Sequence, residues 1–242
     1  MGGISGLDRR LAEAVSDGNV PACVELIAHG ASANAADAFG DPCSCIAIDN
    51  GSGKMLRLLL ESNADPNVKD RFGDACLVKA IDAEDTSMAL ALLGAGADAN
   101  VKDRFGDACL VKAIDAEDTS MARALLGAGA DANVKDRFGD PCLAKAIDAE
   151  ALLMVQVLLR NGADPAAKDR FGEACLDKAA SLGGAMLEVF KDAKTVVDVP
   201  ALPGDSEPQV ETLAERLAIA RAELSQASLV VHAKKSGAGP KR

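Results

Sequence analysis

The chain contains neither tryptophan nor tyrosine, and its 242 residues hold only two histidines, His29 and His232. Imidazole-based catalysis therefore has almost no material: no His is placed beside a Cys or Ser within a common segment, and no glycine-rich loop follows a strand-like run. Long hydrophobic runs are also missing. The longest, Ala89 to Ala97, stops at Asp98, far short of the roughly 20 residues that span a bilayer. The first residues, MGGISGLDRR, lack the apolar stretch of a secretory signal, so none is expected. Gly2 and Ser5 only loosely resemble a myristoylation start, with the hydroxyl one position early. Basic charge is in short supply, with 26 Lys and Arg against 37 Asp and Glu and a formal charge of −11. Such a balance argues against a broad electrostatic grip on nucleic acid or anionic membrane and favours a basic or neutral partner.

What the chain does have is a repeat. Residues 70–102 and 103–135 differ at one position only, Leu90 against Arg123. Asp37, Asp70, Asp103, Asp136 and Asp169 each open a D-x-F-G segment, in steps of 33 residues. A unit so short cannot bury its own apolar face, so successive copies must stack and share one core. Five of the seven cysteines (Cys43, Cys76, Cys109, Cys142, Cys175) follow the same ladder. Equivalent points on stacked helices lie about 8–10 Å apart, whereas a disulfide needs Cα atoms within about 7 Å. The ladder thiols are thus expected to be small core residues in a reducing compartment, cytoplasmic or nuclear. Four convergent metal ligands are not in view: Cys43 and Cys45 share one helical turn, and both histidines are remote in sequence. No metal or other cofactor is expected.

Within a unit, Cys76, Leu77, Ala80 and Ile81 make one face of a short helix over Ala75–Ala83. Asp85 or Thr86 can cap a second helix, whose apolar face is Met88, Ala89, Leu92 and Leu93. Gly96 can close it in the left-handed conformation. The polar stretch Asp98–Asp107, with Gly106 free to adopt positive φ, predicts a protruding hairpin before the next pair of helices. Arg57, Leu90, Arg123 and Gln156 share one rung. A position that tolerates all of them is expected to face solvent.

A 33-residue unit of hairpin, helix, short turn and helix that ends in G-A-D-x-N resembles the ankyrin repeat. The resemblance spans residue 7 to about 193. It implies an all-α solenoid of about six repeats with short β-hairpin loops, non-enzymatic, which binds another protein through its hairpin tips and the concave groove beside them. The chain departs from the family in two ways. The tetrapeptide T-P-L-H, whose Thr and His pin the hairpin, is replaced by Pro42-Cys43-Ser44-Cys45, Ala75-Cys76-Leu77-Val78 and their counterparts. Other contacts must then hold the hairpin, and a softer stack is expected. The glycine between the two helices, present as Gly18, Gly51 and Gly183, becomes Glu84, Glu117 and Glu150, which suggests a longer or differently turned loop. Asn34, Asn67, Asn100 and Asn133 match the family's structural Asn, which in the family can be hydroxylated.

Candidate contact residues follow from the same ladder. Phe39, Phe72, Phe105, Phe138 and Phe171 place nearly all aromatic surface in one stripe, preceded by Arg71, Arg104, Arg137 and Arg170 and followed by Asp74, Asp107, Asp140 and Glu173. Aromatic and Arg side chains dominate binding hot spots; equally, each ring can cover the base of the next hairpin and each Arg can pair with a neighbouring carboxylate. On the first helix, Lys79, Lys112, Lys145 and Lys178 precede Asp82, Asp115, Asp148 and Ser181 by three residues, a spacing for ion pairs within one helix. By resemblance this zwitterionic stripe lines the groove.

The ends differ from the middle. Residues 7–36 match the unit without its hairpin, as a first repeat should, and Lys191 and Asp192 fall where the last repeat needs paired leucines, so its final helix is expected to fray. The chain divides into an extension (1–6), a stack (7–36, 37–69, 70–102, 103–135, 136–168, 169–199), a Pro-containing linker (200–206), an amphipathic helix (207–232) and a basic tail (233–242). In the helix, Val210, Leu213, Leu217, Ala220, Leu224, Ala227 and Val231 follow at spacings of three and four. Such a seam can dock on the chain's own stack, self-associate or meet a helical partner. The leading expectation is a protein-binding scaffold. The alternative is a structural subunit assembled through Leu213, Leu217, Leu224 and Val231.

Overall fold

Helix and turn alternate with the beat of the sequence in the computed structural model, which describes residues 6–192. Six helix pairs follow one another: α1 (Gly6–Ser16) and α2 (Val20–Ala28), α3 (Cys43–Asp49) and α4 (Gly53–Glu61), α5 (Cys76–Asp82) and α6 (Thr86–Gly94), α7 (Cys109–Asp115) and α8 (Thr119–Gly127), α9 (Cys142–Asp148) and α10 (Leu152–Arg160), α11 (Cys175–Leu182) and α12 (Gly184–Asp192). The odd-numbered helices pack on one another in one layer and the even-numbered helices in a second. Among the described residues there are no longer strands. Each hairpin is closed by a single antiparallel bridge, such as Lys69 to Ala75 or Lys102 to Ala108.

The core lies between the two layers and is continuous along the stack. Leu77, Leu110 and Leu143 from the first helices meet Leu59, Leu92, Leu125 and Leu158 from the second, all essentially without solvent contact. In α5 the buried face is Cys76, Leu77, Val78 and Ala80. Val78 therefore takes the place expected of Ile81, which is only half-buried. Capping explains the crisp start of several second helices: Asp85 accepts the Met88 N–H, Asp118 that of Met121 and Asn19 that of Ala22. Along the shared rung, Arg57 and Leu90 are exposed and Arg123 and Gln156 half-buried.

The loop between paired helices is not lengthened where glycine is lost. Glu84, Glu117 and Glu150 hold φ of 55°, 54° and 52°, close to the 68° and 63° of Gly18 and Gly51. The bonds from Glu84 N–H to Ile81 C=O and from Asp85 N–H to Ala80 C=O close the helix around this left-handed residue. Backbone bonding fixes the turn, and the side chain merely tolerates it.

The last repeat slips by one residue. Met186 and Phe190 are its buried anchors, 32 residues after Met154 and Leu158 rather than 33. The connection at Gly183, with φ 105° and ψ −169°, is tighter than its counterparts. Lys191 is therefore not the heir of a buried leucine; Phe190 is. The helix α12 holds through Asp192, the last described residue, and the expected fraying beyond it lies outside the described residues. So do the linker, the proposed helix at 207–232 with Leu213, Leu217, Leu224 and Val231, and the basic tail.

Candidate partner-binding surface

Each hairpin turn is organised by the Asp that opens it. The Asp70 N–H donates to the Asp74 C=O and the Gly73 N–H to the Asp70 C=O. The Asp70 side chain reinforces the turn: Oδ1 accepts the N–H of Phe72 at 2.9 Å and of Asp74 at 3.0 Å. Its Oδ2 accepts Lys79 Nζ at 2.8 Å. Asp103, Asp136 and Asp169 repeat this arrangement with Lys112, Lys145 and Lys178. The Asp–Lys pair thus performs the pinning that the missing Thr and His would have performed.

The same lysines bridge repeats. Lys79 also meets Asp49 at 2.9 Å, Lys112 meets Asp82 at 2.8 Å, Lys145 meets Asp115 at 2.7 Å and Lys178 meets Asp148 at 2.8 Å. The expected pairs within one helix, Lys79 with Asp82 and its copies, do not form. Stacking brings the preceding repeat's carboxylate nearer than the one a turn along. The lysine side chains are only 15–21% exposed, whereas those of Asp49, Asp82, Asp115 and Asp148 are 53–58% exposed. What faces solvent is a row of carboxylates, with the ammonium groups beneath them.

At the hairpin tips, Phe39, Phe72, Phe105, Phe138 and Phe171 are 62–85% exposed. The rings do not cover the next hairpin. Instead they alternate with guanidinium groups: Arg71 lies 5.1 Å from the Phe39 ring and 5.3 Å from that of Phe72, Arg104 5.8 Å from Phe72, Arg137 5.3 Å from Phe105, and Arg170 4.9 Å from Phe138. Each Arg also reaches back to the preceding hairpin: Arg71 to Asp41, Arg104 to Asp74, Arg137 to Asp107 and Arg170 to Asp140. The backbone N–H groups of Arg71, Arg137 and Arg170 donate to the same carboxylates. Asp74, Asp107 and Asp140 are consequently buried struts, paired with Arg as one of the two readings of the sequence stripe allowed and withdrawn from the direct contact role that the other gave them. Glu173 follows the same turn, no Arg of a following repeat lies over it among the described residues, and it is exposed.

Electrostatics bear out the division between struts and surface. Burial alone would raise the Asp70 and Asp103 carboxyls, but hydrogen bonds from Lys79 or Lys112 and from the turn's N–H groups outweigh it and hold them below the usual range. Asp140 is lowered chiefly by Arg170, and Asp169 by Lys178. Burial would depress the four lysines, yet their carboxylate partners raise all of them.

Two further sets complete the lattice. Asn67 Oδ1 accepts the Asp98 N–H and its Nδ2 donates to the Gly96 C=O; Asn34, Asn100 and Asn133 make the same two bonds to their following repeats. The cysteines are all free and buried. Burial pushes the thiols of Cys43, Cys109 and Cys142 up to about 12 and those of Cys23 and Cys175 to about 11. Ladder cysteines do not meet one another, but Cys45, two residues off the ladder, brings its Sγ to 3.0 Å from that of Cys76. A repeat-register argument cannot see that contact, because Cys45 occurs in one copy only. The opening Asp of each repeat was visible as a landmark, and its role in binding Lys was not. Among the described residues no group of His, Cys, Asp and Glu is arranged to hold a metal ion, and no helix is long and apolar enough to cross a membrane.

Comparison with known proteins agrees with this geometry. Residues 76–169 match the family model described as Ankyrin repeats (3 copies). No curated protein matches the sequence. Among solved structures, an ankyrin repeat domain from Acinetobacter baumannii AYE is similar with a TM-score of 0.65 and 23% identity, over 77% of this chain and 98% of that one. The ankyrin repeat protein EF0377 gives a TM-score of 0.60 at 23% identity, over 75% and 96%. The ankyrin repeat domain of Bcl-3, a member of the IkappaB protein family, gives 0.50 at 23%, over 75% and 97%. With the hairpin, the paired helices and the Asn ladder in phase, residues 76–169 carry the ankyrin-repeat motif, and the described residues share the fold of ankyrin-repeat structures.

Proposed function

We propose that the chain is a non-enzymatic scaffold that binds another protein along the face formed by its hairpin tips and the adjoining first helices. Ankyrin repeats generally act as protein–protein interaction modules, so the class of activity follows the fold. The observation that supports the particular face is the ladder of exposed Phe rings interleaved with half-exposed Arg side chains. A monomeric protein has no reason of stability to hold five large aromatic side chains in solvent, and such rows mark contact surfaces. The contact groups are then Phe72, Phe105, Phe138, Arg71, Arg104 and Arg137, with Asp82, Asp115 and Asp148 as the carboxylate border. Lys79, Lys112, Lys145, Asp74, Asp107 and Asp140 position them.

The partner suited to this surface presents apolar side chains to the rings and basic ones to the carboxylates. Chain charge favours the same choice. The buried thiols accord with a reducing compartment, cytoplasmic or nuclear. Quantitative affinity capture tests the reading. Phe72→Ala/Phe105→Ala/Phe138→Ala should lose the partner, while Arg57→Ser/Arg123→Ser on the opposite helices should keep it. Equal capture by both variants, each with an unchanged circular dichroism spectrum, would remove the hairpin face from consideration.

A further inference from the structure

The two ends of the stack are not alike. In the first repeat the exposed residues include Arg9, Arg10 and Glu13, and no large hydrophobic residue there is exposed. A polar outer face is what a terminal repeat requires. At the other end the interior pattern continues with no further repeat over it among the described residues. Leu77, Leu110 and Leu143 are each 1% exposed, because a following repeat lies over them, whereas Leu176 at the equivalent position is 45% exposed. With Leu159, Leu187 and Phe190 it lines an apolar hollow of about 430 Å³. Four of the five exposed leucines among the described residues, Leu152, Leu153, Leu176 and Leu182, belong to the last two repeats. Two of them replace polar residues: Leu152 and Leu153 stand where the two preceding repeats have Thr-Ser.

We propose that this end is a docking site for the chain's own residues 207–232, which lie across α11 and α12 as a helix and cap the stack. Val210, Leu213, Leu217 and Leu224 form a single apolar stripe at spacings of three, four and seven. From Val210 to Leu224 such a helix extends about 21 Å, enough to cross two helices whose axes are about 8–10 Å apart. The stripe is complementary in kind to the hollow, apolar against apolar. Residues 193–206 supply the connection: fourteen residues reach up to about 45 Å. That reach lets the segment return to the end face without strain. A tether of this length holds it at an effective concentration near the millimolar range. A second copy of the chain at ordinary concentrations competes poorly with that.

Hydrogen exchange on the full chain tests the proposal, with light scattering run alongside. Amides in 207–232 should exchange at least about tenfold more slowly than an unfolded segment, in a chain whose mass stays monomeric on dilution and concentration. Leu176→Asp changes a residue that is already exposed, so the stack remains folded and the segments spanning 70–135 keep their protection. The 207–232 amides should then revert to unfolded rates. In the reciprocal variant, Leu213→Asp/Leu217→Asp, the peptides covering α11 and α12 should exchange faster. The proposal is overturned by unprotected 207–232 amides in the unaltered chain. Protection that survives Leu176→Asp/Leu187→Asp would place the segment elsewhere. Protection that appears only as the mass doubles would make a second copy the occupant.

Discussion

Glu84, Glu117 and Glu150 carry the clearest local conflict in the chain. Each sits at φ between 52° and 55°, where a residue with a Cβ costs about 1–2 kcal/mol relative to the right-handed region. Each is also exposed, so the side chain supplies no packing in return. Glycine removes that strain but loses about 0.5–1 kcal/mol more backbone entropy on folding, and the strain is the larger of the two. Glu117→Gly should therefore stabilise the chain by roughly 0.5–1 kcal/mol, read as a higher urea midpoint with an unchanged slope. A lower midpoint would mean that Glu117 contributes something the geometry does not reveal. The one natural difference between the twin repeats makes a second residue-scale case. Leu90 is 45% exposed, so Leu90→Arg, which makes 70–102 identical to 103–135, should shift stability by less than about 0.5 kcal/mol in chemical denaturation.

At the scale of the hairpin, one buried carboxylate does three things at once. Asp103 accepts the N–H groups of Phe105 and Asp107 on one oxygen and Lys112 on the other. Asp103→Ala leaves two N–H groups and an ammonium short of their acceptor and should cost about 2 kcal/mol. Asp103→Asn, which keeps an acceptor for the turn, should cost less. The pH dependence follows from the directions of the shifts. Asp70, Asp103, Asp140 and Asp169 are lowered in the folded chain. Their contribution is complete above the unfolded carboxyl value near 4 and is lost as pH falls through the folded values. The thiols and the four lysines are raised. Their contribution is complete below the unfolded values, near 8.5 for thiols and 10.4 for lysine, and is lost as pH rises toward the folded ones. Melting temperature should thus be level from about pH 5 to 8 and fall on both sides, with the alkaline fall beginning at the thiols. Cys109→Ala should soften that alkaline limb. Repetition made these elements legible beforehand: the helices, the hairpin, its glycine and the stripe of Phe are all local patterns read in phase. The ionic pairing was not legible, because Lys112 has Asp115 three residues along its own helix and Asp82 thirty residues back. Only the stacking distance between repeats decides for the latter. For Asp74, Asp107 and Asp140 the sequence left a contact role and pairing with a neighbouring Arg equally open, and the stack decides for the pairing.

For the molecule as a whole, the near-identity of 70–102 and 103–135 means that one interface is copied along the stack. Lys145 binds Asp115, Arg137 binds Asp107, and Asn100 bonds the backbone of the repeat that follows. Excision of 103–135 would bring 136–168 against 70–102, where Asp82, Asp74 and Asn100 stand at the positions of Asp115, Asp107 and Asn133. Every strut and cap of the lost junction would be re-formed by its twin, and no core residue would meet a new environment. Stability in such a stack is close to a sum of repeat and interface contributions. The excised chain should therefore fold cooperatively, with a lower free energy of unfolding and a denaturant slope reduced by roughly a sixth, in proportion to the surface that unfolding exposes. Excision of 37–69 is the contrasting case. It would remove Cys45 from beside Cys76, Asp41 from beneath Arg71 and Asp49 from above Lys79, and it would set the first repeat, which has no hairpin, against Asp70 and Arg71. That variant should lose more stability than the other although it lacks the same number of residues. Equal losses would mean that junctions along the stack are interchangeable whatever their side chains, and that the Asp, Lys and Arg struts add little to holding the repeats together.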